Sequence, residues 1–257
     1  PENQPPREIQ WNQTSPAPGA DLGPPAPYAA GMAKSPGSPT LILIPTRLEA
    51  LGIERAGGLG CGQGLLELAG FGPVASAARC AQLIARFAPR RVLLLGIAGT
   101  LDGDMLPVGT AQRMGEVLLD GVGAGEGPER IGPKAMGLPQ WQPDGDLTPI
   151  HDSLLLPGGQ GRLLTVCAAS ASPAQAQDRR ERFAAKAEDM EGFAVALACS
   201  LAATPLAIIR GISNHAGERD TSKWRVQDAL DAARILALKT LEAPGEQAGF
   251  GPPDDSP

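Results

Sequence analysis

The chain is poor in aromatic residues and in histidine. Phenylalanine, tyrosine and tryptophan make up 4% of its 257 residues, and there are two histidines. The core must therefore be built mainly from alanine, leucine, valine and isoleucine. No apolar run approaches the ~18 residues of a membrane-spanning helix, and the N-terminus lacks the short apolar core of a signal peptide. The net charge of −6 comes without the basic stripe typical of nucleic-acid binders. We therefore expect neither a membrane nor a nucleic-acid partner.

The four cysteines show no pairing pattern. Cys61, Cys80, Cys167 and Cys199 are scattered in small-residue contexts, with no CxxC spacing. Such spacing predicts neither a disulfide framework nor a zinc site, and favours reduced thiols in a cytoplasmic protein. We expect no metal and no cofactor.

Glycine and proline are both abundant, with 33 and 26 residues, and the prolines are concentrated near the ends. Residues 1–39 and 244–257 are proline-rich and polar and follow neither a helical nor a strand period. We therefore predict a disordered arm and a disordered tail on either side of one domain at residues 40–243. Within that domain, residues 121–161 are predicted to form a long loop or insertion.

Short apolar runs alternate with helical patterns along the domain. Strands are predicted at residues 40–44, 91–97, 109–119, 163–168 and 206–212, and helices at 74–87, 174–187, 191–202 and 226–241. Apolar strands between helices indicate an α/β fold with a central sheet covered by helices on both faces. In such folds ligands bind at the carboxyl ends of the strands.

Two segments carry candidate chemistry. The run Glu188-Asp189-Met190-Glu191-Gly192 places a carboxylate at the start of a small-residue helix, and Ile209-Arg210-Gly211-Ile212-Ser213-Asn214 ends a predicted strand. Together with the Gly-rich stretches 70–78 and 96–99, they resemble the site of the purine nucleoside phosphorylase and nucleosidase superfamily. This resemblance spans most of residues 40–243 and implies a three-layer fold with a mixed sheet.

The resemblance assigns the sugar contacts. It implies that Glu191 binds the ribosyl hydroxyls and stabilises developing positive charge, and that Met190 packs on the sugar. The backbone of Ile97, Ala98 and Gly99 would pass along the sugar and base. Alternatively, Glu191 stands at the helix start only because a carboxylate there interacts favourably with the helix dipole. Residues 96–99 would then form an ordinary turn after a strand.

The chain departs from the phosphorylases at the phosphate. Those enzymes hold phosphate with an arginine and a hydroxyl, where this chain has Leu94 and Ile97. Since burying phosphate without donors is costly, water is the expected nucleophile. The resemblance offers Glu49 as the group that activates this water and Arg210 as the group that orients the site. Alternatively, Glu49 faces solvent on a helix and Arg210 pairs with Glu191.

A second departure concerns the base. Adenine-specific nucleosidases of the superfamily carry an aspartate where this chain has Asn214. A carboxamide presents a donor beside an acceptor, which fits a 6-oxopurine, and Ser213 would support it. Alternatively, Asn214 caps a turn after the strand.

Both departures, together with residues 210–224, resemble the futalosine hydrolase branch, whose members release hypoxanthine from futalosine in a menaquinone pathway. The loop at 121–161 would then border the benzoate group of the substrate, where Trp141 either forms a wall or anchors the loop, while His215 lies at the rim. The branch also implies a homo-oligomer in which a neighbouring subunit closes the pocket. Two alternatives stay open: another nucleosidase or phosphorylase of the superfamily, acting on methylthioadenosine or on inosine, and a non-catalytic nucleoside-binding module.

Overall fold

The computed structural model describes residues 37–60, 62–125, 127–142 and 149–243. The predicted disordered arm and tail fall almost entirely on residues 1–36 and 244–257, outside the described residues, and stay predictions.

Eight strands lie in the described residues. They are β1 (Thr40–Ile44), β2 (Leu65–Leu68), β3 (Arg91–Thr100), β4 (Ala111–Asp120), β5 (Ser153–Leu155), β6 (Gln160–Val166), β7 (Ala187–Asp189) and β8 (Leu206–His215). Six α-helices accompany them: α1 (Arg47–Arg55), α2 (Pro73–Phe87), α3 (Pro133–Met136), α4 (Pro173–Phe183), α5 (Gly192–Leu201) and α6 (Val226–Glu242). None of these helices is long and apolar enough to span a membrane.

The strands form one mixed sheet that closes on itself. β1 lies parallel between β2 and β3, and β3 pairs parallel with β8. β8 pairs antiparallel with β4. β4 also pairs parallel with β6 and antiparallel with β5. The short β7 joins β6 to the end of β3. The pairings β3–β8–β4–β6–β7–β3 therefore form a ring, and the carboxyl ends of β3, β6 and β8 lie close together.

The helices cover both faces of the sheet. Successive side chains of a strand point to opposite faces, and β1 shows this directly. Leu43 packs in a cluster with residues of α2 and α5, whereas Ile42 packs in a second cluster with residues of α1 and α6. The predicted three-layer α/β fold with a mixed sheet is confirmed.

Several local predictions were wrong, each because long-range pairing or backbone geometry outweighed the local pattern. The helix predicted to run to residue 187 ends at Phe183, where Ala184 takes a left-handed φ of +49°, and residues 187–189 form β7 instead. The turn predicted at 96–99 lies inside β3, which continues to Thr100 with a register shift between Ala98 and Gly99. The predicted loop at 121–161 includes α3 and β5, while α1 and β2 were not predicted.

A buried ion cluster joins α4 to the sheet. Arg179 is 6% exposed and donates to Glu188 Oε2 at 3.0 Å, to Asp120 Oδ2 at 3.3 Å and to Ser170 Oγ at 2.9 Å. Its neighbour Arg180 also pairs with an aspartate, but its side chain is 43% exposed. The two arginines therefore differ mainly in burial.

We predict that Arg179→Met lowers the free energy of unfolding by about 3–5 kcal/mol, because it leaves Glu188 and Asp120 buried with fewer partners. Arg180→Met should cost at most about 1 kcal/mol, since exposed ion pairs contribute little. Urea denaturation of both variants measures their free energies of unfolding. Equal losses in the two variants would contradict the larger contribution expected of the buried Arg179.

Candidate active site

A cavity of about 380 Å³ lies at the carboxyl ends of β1, β3 and β8. Eight of the nine site residues predicted from the sequence line it: Glu49, Ile97, Ala98, Gly99, Met190, Glu191, Ser213 and Asn214. The ninth, Arg210, is fully buried and bonded to Glu191. The structure thus brings all nine together, although they come from four separate stretches of the chain.

Glu49 is fixed by the way α1 begins. Thr46 caps the helix, and its backbone NH and hydroxyl donate to Glu49 Oε2 at 3.0 and 2.6 Å. The other oxygen, Oε1, accepts from the backbone NH of Ile97 on β3 at 3.0 Å. Glu49 is 4% exposed, which excludes the alternative of a helix glutamate facing solvent. A capping box here sets a carboxylate against the floor of the cavity.

Glu191 stands at the start of α5 but makes no capping bond with its side chain. Its Oε1 accepts from the backbone NH of Gly72 at 3.0 Å, and its Oε2 accepts from Arg210 Nη2 at 3.3 Å. The carboxylate therefore points across the cavity floor, toward the loop before α2, and its position reflects more than a favourable helix dipole.

Arg210 is the most enclosed charge at the site. It lies on β8, and its Nε and Nη2 donate to Asp189 Oδ2 at 3.0 and 2.5 Å. Asp189 also accepts from Gly192 NH at 2.9 Å and from the Thr165 hydroxyl at 2.7 Å. No role was predicted for Asp189, although it stands directly before Met190-Glu191. Its four donors make it the residue that orients the arginine.

The remaining nitrogen of Arg210 points toward Glu49. Among the described residues, Nη1 is buried without a hydrogen-bond acceptor. A Cβ built on Gly96 would lie 2.3 Å from this Nη1 and 2.6 Å from Glu49 Oε1. Both atoms therefore lie beside one point on β3, where only a glycine leaves room for them. A donor and a carboxylate oxygen that face the same point can hold a small polar molecule.

The charges at the site shift its protonation equilibria. Burial raises the pKa of Glu191 to about 7; Arg210 opposes this rise, while Asp189 and Glu49 add to it. Burial lowers the pKa of Arg210, but Asp189, Glu191 and Glu49 outweigh it, so that the pKa of Arg210 lies above its usual value. The arginine stays charged, and Glu191 titrates near neutral pH.

Asn214 and Ser213 lie at the end of β8. The Ser213 hydroxyl donates to Asn214 Oδ1 at 2.7 Å, and Asn214 Nδ2 donates to the His215 carbonyl at 2.9 Å. Each group of the carboxamide keeps one further hydrogen-bonding position. Asn214 belongs to the strand, paired with Gly99, and is not a cap on a following turn.

The other predicted neighbours divide into two groups. Met190 lines the cavity and packs on the cluster around Leu164 and Val166. Trp141, His215 and Leu94 do not line it; Trp141 forms an isolated bridge with Ile150, and Leu94 is fully buried in the core.

Several lining residues were missed by the sequence analysis. Leu48 and Phe71 are exposed apolar side chains of the cavity wall, and Arg219 and Trp224 line it from the segment after β8. Phe71 and Trp224 stood inside segments that carried the resemblance, which was the available signal. Among the described residues, no group of three or more His, Cys, Asp or Glu side chains has the geometry of a metal site.

Comparison with known proteins identifies the family. The sequence model of the Phosphorylase superfamily matches residues 56–243. Futalosine hydrolase of Thermus thermophilus is 33% identical over 224 residues, which are 80% of this chain and 96% of that protein. Futalosine hydrolase of Streptomyces coelicolor is 41% identical over 73 residues, 28% of this chain and 31% of that protein.

Solved structures agree on the fold. Futalosine hydrolase of Helicobacter pylori superposes with a TM-score of 0.62 at 18% identity, covering 78% of this chain and 96% of that one. The 5′-methylthioadenosine/S-adenosylhomocysteine nucleosidase of the same organism, solved with butyl-thio-DADMe-Immucillin-A, gives 0.62 at 18%, covering 79% and 96%. From the sequence matches, the chain belongs to the phosphorylase superfamily and, within it, is an N-glycosyl hydrolase of the futalosine hydrolase family.

Proposed function

We propose that the protein hydrolyses the N-glycosidic bond of a 6-oxopurine nucleoside, with futalosine as substrate and hypoxanthine and dehypoxanthine futalosine as products. The observation that carries this proposal is the placement of Asn214 on the same cavity as Glu49 and Glu191, above the buried Arg210. A carboxamide for the base thus faces a carboxylate pair for the sugar and the water. The Thermus thermophilus relative bears the name of this activity.

Glu191 binds the ribose. Each of its oxygens accepts one hydrogen bond from the protein, from Gly72 or Arg210, and keeps a lone pair for a ribosyl hydroxyl. As the glycosidic bond lengthens, positive charge grows on the sugar ring. A carboxylate fixed beside the sugar stabilises that charge more than it stabilises the neutral ground state.

Glu49 and Arg210 hold the water. Arg210 Nη1 donates to the water oxygen, and Glu49 Oε1 accepts one of its protons, because both atoms face the point beside Gly96. The water oxygen bonds to C1′ of the ribose while the bond from C1′ to N9 of the base breaks. Glu49 takes the water proton, the bonding electron pair leaves with the base, and the base anion takes a proton from solvent to give hypoxanthine.

Asn214 receives the leaving base. Its free N–H donates to N7 or O6 of the 6-oxopurine, where the negative charge of the departing base accumulates. Ser213 fixes the carboxamide by its bond to Oδ1. An amide cannot act as the strong acid that protonates a departing adenine, so the arrangement favours a 6-oxopurine, whose anion is stabilised by delocalisation onto O6.

Water rather than phosphate is the proposed nucleophile. Of the two apolar residues at the expected phosphate positions, Ile97 lines the cavity and Leu94 is buried in the core. Neither supplies the donors that a phosphate dianion needs.

We place the enzyme in the cytoplasm, in a menaquinone pathway, as a homo-oligomer. The sulfurs of Cys80 and Cys199 lie 3.9 Å apart, in hydrogen-bonding contact, which suits a reducing compartment. Leu48 and Phe71 at the cavity wall are 64% and 66% exposed, which suits a neighbouring subunit that closes the cavity at this wall.

The direct test is chromatographic detection of free base after incubation with futalosine, inosine and methylthioadenosine, each with and without phosphate. We expect hypoxanthine from futalosine at a rate independent of phosphate. Phosphate-dependent release from inosine would indicate a phosphorylase, and adenine from methylthioadenosine would overturn the role of Asn214. Release of no base from any of the three would favour a binding module.

We predict that Glu49→Gln and Glu191→Gln each lower kcat/KM for futalosine by about 10²- to 10⁴-fold, the usual contribution of a positioned acid–base or charge-stabilising group. Glu54→Gln, at an exposed position of the same helix α1, serves as control and should keep the wild-type rate. Circular dichroism checks that the variants are folded. A wild-type rate in either site variant would refute the role of that residue.

We also predict that kcat/KM falls as the pH drops below about 7. The pKa of Glu191 is raised to about 7 by burial, so that acidification protonates it and removes the charge that stabilises the sugar cation. The limb on the acid side of the pH profile should be absent from the residual activity of Glu191→Gln. A wild-type profile flat down to pH 5 would contradict this role of the ionised carboxylate.

A further inference from the structure

Arg219 is a cation on the cavity wall that has no partner among the described residues. It lines the cavity and is exposed. Among the residues that the structure describes, no hydrogen bond or ion pair engages its guanidinium. A surface arginine is ordinarily just solvated, so its place on the wall of a substrate cavity needs further argument.

The carboxylates next to Arg219 pair with a lysine. Glu218 and Asp220 flank Arg219 in the sequence, but both pair with Lys223, at 2.9 and 3.8 Å. Lys223 therefore engages both acids, and among the described residues neither of them pairs with Arg219.

The segment that carries Arg219 has a defined backbone. Trp224 Nε1 donates to the Glu218 carbonyl at 3.1 Å, and the backbone NH of Asp220 donates to Glu218 Oε1 at 2.9 Å. Gly217 has a φ of +86° and packs so closely on the segment before α4 that a Cβ there would lie 2.3 Å from the Ser172 carbonyl carbon. These contacts fix both ends of the short segment, which holds Arg219 at the cavity.

The carboxylates of the cavity are engaged with other partners. Glu188 bonds to Arg179, Asp189 and Glu191 bond to Arg210, and Glu49 bonds to Thr46 and Ile97 NH. With four acids around it, the cavity repels an anionic substrate unless a cation receives the negative group. Arg219 is the lining residue with a free positive charge among those described.

We propose that Arg219 binds a carboxylate on the 5′ substituent of the nucleoside, and so selects substrates with an acidic group at that end. This inference rests on the proposed function, because the benzoate group implied by the resemblance to futalosine hydrolases supplies the carboxylate at the 5′ end. The exposed side chains of Leu48 and Phe71 and the ring of Trp224 line the same cavity and supply apolar surface for the aromatic ring. The guanidinium supplies a charged fork for the carboxylate oxygens.

The test compares futalosine with its methyl ester, which lacks the charge. For Arg219→Ala, KM for futalosine should rise about 10- to 100-fold, as for the loss of a hydrogen bond to a charged group, with kcat nearly unchanged. KM for the ester should be the same in wild type and variant. Arg219→Lys should recover part of the affinity, and the wild-type preference for the acid should weaken with added salt.

Arg47→Ala is the matched control, because Arg47 is also exposed and stands beside two lining residues without lining the cavity itself. It should leave both KM values unchanged. An equal rise of KM for acid and ester in Arg219→Ala, or no rise in either, would overturn the subsite while futalosine cleavage by the wild type keeps the proposed function. An equal effect of Arg47→Ala would reduce the role of Arg219 to general surface charge and also overturn it.

Two further outcomes separate the alternatives. Wild-type turnover that rises with phosphate and loses this response in Arg219→Ala would make the arginine a phosphate ligand and overturn the inference. Failure of the wild-type enzyme to cleave futalosine would overturn the proposed function, and the carboxylate subsite with it.

Discussion

The buried guanidinium of Arg210 is the constraint on which the site depends. A fully buried charge costs several kcal/mol unless partners compensate for it. Here Asp189 accepts two of its hydrogen bonds and Glu191 a third. Two carboxylates against one guanidinium leave excess negative charge in a space poor in water. Burial raises the pKa of Glu191, Arg210 opposes this rise and Asp189 adds to it, so the same buried cluster also sets the pH range in which Glu191 is ionised.

The backbone makes this arrangement possible. β8 carries Arg210 beside Gly96 of β3, and only a glycine there leaves room for both the guanidinium and Glu49. Asn214 lies four residues after Arg210 on β8. The register shift between Ala98 and Gly99 on β3 brings Gly99 opposite Asn214. One strand pair therefore sets the spacing between Arg210 and Asn214, for which we propose roles in holding the water and in binding the base. The capping box of α1 brings Glu49 to the same pair.

The sequence predicted the parts of this structure that local patterns determine. Apolar runs identified β1, β3, β4, β6 and β8, and the family motifs identified Glu191, Arg210 and Asn214. β7 escaped because three residues show no period, and its conformation comes from pairing with β3 and β6. The role of Asp189 was not predicted, because it depends on the position of this short strand. Its role appears only once β7 brings it to Arg210, 21 residues further along the chain.

The two arginines of the site differ in burial, and this difference determines which partners are open to each. Arg210 has no exposed surface and pairs with two carboxylates, so its charge is compensated within the fold. Arg219 lies on the wall, with the acids next to it engaged by Lys223, so its charge is open to a substrate. A charge satisfied within the fold cannot discriminate between substrates, because its environment is the same whichever one binds. Discrimination requires a group whose partner arrives with the ligand, and among the described residues of the cavity wall Arg219 is the cation that meets this condition.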